Sequence, residues 1–233
     1  MGFGILFIGY FLLLNFAFSA FTDAISAILM LYALYKLSEI NKEFRRATYA
    51  ALILLVFGIT ELVIEALDMF VGLGDITAMT SVLALIRYLL VGLLTILMLR
   101  GIRDVAAEVK LHVLSDKARR CSIMTLIIYS VNALLEIIGL MPVSAAVFYY
   151  FAVIMIVLTL TIIIMNLTAI YSAYMRICMP NEKEYTEKES RFAFVNAFRK
   201  HEAEKEREYT EYRLEKQKKK REREAAKRKC QKK

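Results

Sequence analysis

Residues 47–73 read ATYAALILLVFGITELVIEALDMFVGL, and the fold turns on how this stretch is interpreted. It is long and apolar enough to cross a bilayer, which takes about 20 residues, yet it carries Glu61, Glu65 and Asp68. At 3.6 residues per turn, Glu65 lies about 40° to one side of Glu61 and Asp68 about 20° to the other. Three acids therefore share one narrow face of an otherwise apolar helix. A charge at mid-bilayer costs roughly 2.5–3.5 kcal/mol on insertion scales, and such residues face a bundle interior or a water-filled cavity. The remaining helices must then cover, pair or hydrate this face.

The chain around it supports a membrane interpretation. Its 233 residues are 58% hydrophobic, with a mean hydropathy of +0.50, and the apolar residues fall in blocks of spanning length. The net charge of +8 is unevenly placed. Residues 1–175 hold 11 basic against 11 acidic side chains, and residues 176–233 hold 20 against 12. The expected organisation is an all-α, polytopic membrane helix bundle over 1–178 and a basic, helical cytoplasmic tail over 179–233.

Six spans are predicted, near 3–19, 23–37, 48–70, 79–100, 122–141 and 143–176. Residues 3–37 would make one helix of about 52 Å, too long for a core of about 30 Å, so a break is needed. Ser19, Thr22 and Asp23 supply it, with Thr22 or Asp23 as N-cap of the second helix. Ala17-Phe18-Ser19 could pass as a signal-peptide cleavage site, but no basic segment precedes it. Residues 36–48 are expected as a charged loop, and 101–121 as an amphipathic segment lying along the interface or extending the fourth span. Pro142 suits the first turn of the sixth helix.

Segments 36–48, 100–120 and 176–233 hold 30 of the 31 Lys and Arg residues, Arg87 being the exception. The positive-inside rule then predicts a cell-membrane protein with both termini cytoplasmic. On that topology Glu61, Glu65, Arg87, Asn132 and Glu136 lie in the outer half of the bundle. Glu61 and Arg87 sit at matching depth on consecutive antiparallel spans, so they are predicted partners. Asn132 and Glu136, four residues apart, share a helix face with Thr125 and Tyr129.

Glu61, Glu65, Asp68, Arg87, Asn132 and Glu136 form the candidate ligand or ion site: a net-acidic, outward-facing polar network suited to a cation or small solute. The competing structural interpretation has Arg87 clamp Glu61 or Glu65, with Asn132 capping the network.

Enzyme chemistry is weakly supported. Nucleophilic catalysis by Ser or Cys calls for a nearby base, and neither His112 nor His201 lies in an apolar block. No P-loop, CxxC or HExxH pattern occurs, and Cys121, Cys178 and Cys230 are too scattered for a zinc site. No metal or other cofactor is expected. Gly72-Leu73-Gly74-Asp75 resembles the GxGD element of membrane-embedded aspartyl proteases, which include prepilin and preflagellin peptidases. The resemblance covers four residues and implies Asp23 as partner of Asp75. It departs from that family in placing both aspartates externally and in lacking a lysine soon after the second.

The tail is rich in strong helix formers without a persistent apolar heptad, so a coiled coil is not expected. Lys218, Lys219, Lys220, Arg221, Lys227, Arg228 and Lys229 form a basic cluster suited to anionic lipid headgroups or a cytoplasmic protein partner. Nucleic acid is not the expected partner, and a homo-oligomer is compatible with the pattern. Besides solute binding, the alternative role is a non-transporting receptor or assembly subunit acting through this tail.

Overall fold

The computed structural model describes residues 2–13, 20–71, 77–139 and 145–177, and, in the tail, 196–197, 200–201, 203–212, 214–216 and 218. Among the described residues the chain is all helix and turn. The helices are α1 (Gly2–Leu13), α2 (Ala20–Leu37), α3 (Lys42–Val71), α4 (Thr77–Glu108), α5 (His112–Gly139) and α6 (Ala145–Arg176). A further helical run occupies residues 203–212.

Several helices outrun their predicted limits because charged residues at their ends are themselves good helix formers. The predicted loop at 36–48 shrinks to Ser38–Asn41, where the Asn41 side chain accepts a 2.8 Å hydrogen bond from the Glu43 amide and caps α3. The segment 101–121 is not a separate interfacial element. Its first part completes α4 and its last part begins α5, with the turn at Val109–Leu111. Leu111 N–H donates to Ala106 O (2.8 Å) and Lys110 N–H to Ala107 O (3.2 Å), the paired bonds of a Schellman cap. Lys110 takes the left-handed position that such a cap requires, at φ 62°.

At the start of α2, the helix begins at Ala20, so Asp23 lies in its first turn and is not the N-cap. Predicted features at 14–19, 72–76 and 140–144, including Ser19, the Gly72–Asp75 motif and Pro142, lie outside the described residues.

Among the described residues, three stretches are long and apolar enough to cross a membrane: Lys42–Ile64, Leu85–Glu108 and Val153–Arg176. The described part of α1 has 12 residues, about 18 Å of helix. Large apolar side chains point outward along the helices, among them Ile59, Val63, Leu67 and Phe70 on α3 and Ile154, Ile156 and Val157 on α6. A soluble monomer rarely exposes so continuous an apolar surface, whereas lipid accepts it.

Each helix packs on the next, α1 closes against α6, and α4 also touches α6, so the six form a ring with one cross-contact. The largest apolar cluster among the described residues lies towards one end of that ring. It draws on Phe3 and Leu6 of α1, Leu34 and Leu37 of α2, Phe44 and Ala47 of α3, Met98 and Ile102 of α4, Leu114 and Ala118 of α5, and Ala173 of α6. This is the end that carries the charged turns. Phe3 and Phe44 meet edge-to-face at 5.9 Å. A Cβ on Gly101 would lie 2.7 Å from the Phe44 ring, so α3 and α4 approach as closely as they do because position 101 has none.

Candidate functional site

Towards the opposite end of the bundle, the described residues include ionised and polar side chains that meet between helices. Arg87 lies ten residues into α4, on a helix whose outer face is apolar, and its guanidinium turns towards α2 and α3. One nitrogen, Nη1, donates to Glu61 Oε2 at 2.8 Å and to Asp23 Oδ2 at 2.5 Å. The ion pairs join three helices. The Asp23 and Glu61 side chains are only 15% and 14% exposed, against 37% for Arg87. Two carboxylates on one guanidinium leave the trio with a formal charge of minus one. Asp23 gains further from its place in the first turn of α2, where the helix dipole favours an anion.

The pairing of Arg87 with Glu61 is the one expected from matching depth. The contact with Asp23 is new, because sequence reasoning used Asp23 as an N-cap and as a partner for Asp75. Its position near the same end of the bundle was the available signal.

Asn132 does not cap this cluster. Its amide donates to Tyr88 Oη at 2.8 Å and to Thr159 Oγ1 at 2.9 Å, tying α5 to α4 and α6. Arg87 and Tyr88 are adjacent on α4, so consecutive side chains serve different neighbours: the ionic group reaches α2 and α3, the phenol α5. Tyr88 also stacks on Tyr129, with centroids 4.6 Å apart and planes 17° from parallel. That stack uses a gap at Gly92, where a Cβ would come within 2.5 Å of the Tyr129 ring.

The polar face of α5 continues towards the charged end. Fully buried Thr125 exchanges hydrogen bonds with Asn166 of α6, whose amide also donates to the buried Tyr10 hydroxyl of α1 at 3.2 Å. Lys117, two turns further on, donates to Ser172 Oγ at 3.3 Å. Lys117, Thr125 and Asn132 thus bind successive levels of α6, an arrangement that joins membrane helices at roughly 0.6–2 kcal/mol per contact. Thr125 and Tyr129 were expected on the Asn132 face, but Asn166 as the partner of Thr125, Tyr88 as that of Tyr129 and Thr159 as that of Asn132 were not identified from sequence.

Glu65 and Asp68 lie on α3 beyond Glu61, and Glu136 on α5 beyond Asn132, but their side chains fall outside the described set. Among the described residues, no group of three His, Cys, Asp or Glu side chains is arranged to hold a metal ion. Lys218 is exposed on a helical segment, while Lys219, Lys220, Arg221, Lys227, Arg228 and Lys229 lie outside the described residues.

The chain matches no known family, no characterised protein and no solved structure.

Proposed function

We propose that the chain is a six-span integral membrane protein, cytoplasmic at both ends, that binds or moves a cation or small basic solute at the Asp23–Glu61–Arg87 cluster. The observation that carries this proposal is the sharing of one guanidinium nitrogen by two carboxylates from different helices. A structural clamp needs one acid for one base. Here a second carboxylate competes for the same donor, and a cation or basic group arriving from solution can take over one of them from Arg87. Because Asp23 and Glu61 belong to α2 and α3, that exchange loosens one helix from α4 while keeping the other. Glu65, Asp68, Asn132 and Glu136 are the residues we assign to the approach to this site, from their positions further along α3 and on α5. The basic residues at the other end set the orientation by the positive-inside rule.

The test is thermal denaturation of the detergent-purified protein against a panel of monovalent and divalent cations and small amines. A stabilising species should raise the melting temperature in proportion to the logarithm of its concentration above Kd. Asp23→Asn, Glu65→Gln and Asp68→Asn should abolish that rise while leaving a folded protein. If no cation or amine stabilises the wild type, the cluster is structural, and the role as a receptor or assembly subunit replaces solute binding.

That second role has its own support in the way the tail returns to the bundle. Glu206 pairs with Arg176 at 3.2 Å, linking the tail to the end of α6. No protease step is proposed: Asp23 is engaged by Arg87, a partner the two-aspartate chemistry does not use.

A further inference from the structure

The tail helix meets α5 in register. Glu206 Oε1 accepts from the Val113 amide at 3.1 Å, in the first turn of α5, and the Tyr209 hydroxyl donates to Asp116. Both contacts join residues 93 apart. A constant offset means that the two helices run parallel and in step over this turn, at 1.5 Å per residue. The second carboxylate oxygen of Glu206 takes the Arg176 guanidinium, so one side chain fastens the tail to both α5 and α6.

The direction of travel matters. Following α5 from His112, the sequence HVLSDKARR is polar and CSIMTLIIYSV is apolar, so Arg119 and Arg120, both exposed, mark the level at which lipid headgroups begin. The same offset carries the tail to that level at Tyr212. Tyr212 and Leu214 are exposed there, and the Lys216 ammonium sits 6.0 Å from the Tyr212 ring centre. Charge is distributed to match. Residues 176–217 hold ten basic and ten acidic side chains, whereas 218–233 hold ten basic against two acidic, the whole net +8 of the chain.

We infer that the tail is an anionic-lipid-binding arm: Glu206 and Tyr209 latch it along α5, Tyr212 and Leu214 rest at the interface, and the ten basic residues of 218–233 supply the charge that draws it to anionic headgroups. A merely solvated tail would not need to be steered towards the membrane by two in-register contacts. Polybasic segments gain about 1 kcal/mol per basic residue near an anionic surface, and salt weakens them.

Two measurements on the full-length protein test this. In nanodiscs, tryptic cleavage after residues 218–229 should be about tenfold slower with phosphatidylglycerol present than with phosphatidylcholine alone, and the protection should fade in high salt. A chain carrying Lys218→Gln, Lys219→Gln, Lys220→Gln and Arg221→Gln should show little lipid dependence at the remaining sites, with an unchanged melting temperature. For the latch, a chain with Asp116→Cys and Tyr209→Cys should be cross-linked by a short bis-maleimide, whereas Asp116→Cys with Ala203→Cys should not. Equal cleavage in the two lipids overturns the inference. So does tight binding of single-stranded RNA by the detergent-solubilised protein without any phosphatidylglycerol effect, which would assign the arm to nucleic acid. Failure of the 116–209 cross-link overturns the docked register.

Discussion

The two ends of the bundle solve the same problem in different ways. At the charged end, side chains of Phe, Leu, Met and Ala fill the space between the helices, with Tyr10–Asn166–Thr125 and Lys117–Ser172 as polar ties beside them and further polar groups in turns and caps. At the other end the helices are held by Arg87 with Asp23 and Glu61, and by Asn132 with Tyr88 and Thr159. Lipid offers no hydrophobic drive for helix association, so packing fit and polar bonds must supply it. Close fit gives rigidity, since an interior at crystal-like density has few alternative arrangements. Polar bonds can be exchanged for others, which is why the candidate site lies where packing is not the main tie.

The comparison is broken most directly at Phe44. Phe44→Ala should cost about 3 kcal/mol and lower the melting temperature in detergent more than any change at the polar end. A smaller effect than that of Arg87→Leu would show that the apolar end is not the stabilising half.

Next in size is the ionic cluster. Arg87→Leu should cost about 2 kcal/mol, tempered by the partial exposure of the guanidinium. Matching depth alone predicts that Glu61→Leu added to Arg87→Leu restores most of the loss. With Asp23 also on Arg87, the double variant leaves one carboxylate without its base, and recovery should be complete only when Asp23→Leu is added as well. Full recovery in the double variant would show that the Asp23 contact contributes nothing.

The smallest effect separates backbone strain from packing at the apolar end. Lys110→Gly should stabilise by about 1 kcal/mol, because glycine adopts the left-handed turn without a Cβ clash. A loss instead would mean that the lysine side chain contributes more than its backbone costs.

Sequence reasoning located the helices well and their ends poorly. The apolar blocks announce themselves, but KEFRRATY before residue 50 and RGIRDVAAE after 99 are polar helix, and hydropathy marks them as loop although their propensity is helical. Glu61 and Arg87 were legible as partners because consecutive antiparallel spans can be aligned by counting. Asp23 was not, because counting cannot say that α2 stands close enough to α4 for a long side chain to bridge. The partners of Asn132 eluded sequence for the same reason: Tyr88 and Thr159 are 44 and 27 residues away, and neither is unusual in a membrane helix. The tail contacts were invisible because the tail beyond residue 200 has no apolar stripe, and Glu206 and Tyr209 are two polar residues among many.

One consequence follows from the closing of α1 on α6. The Tyr10 hydroxyl receives the amide of Asn166, 156 residues later, and the Gly4 backbone lies against the Tyr174 ring. At a synthesis rate of about 5–20 residues per second, roughly 8–30 s pass between the emergence of these two partners. During that interval five helices can form and pair in order, while the inner face of α1 still awaits α6. Closure of the ring therefore comes with the last helix, and a nascent chain stalled before residue 166 holds an unfinished ring.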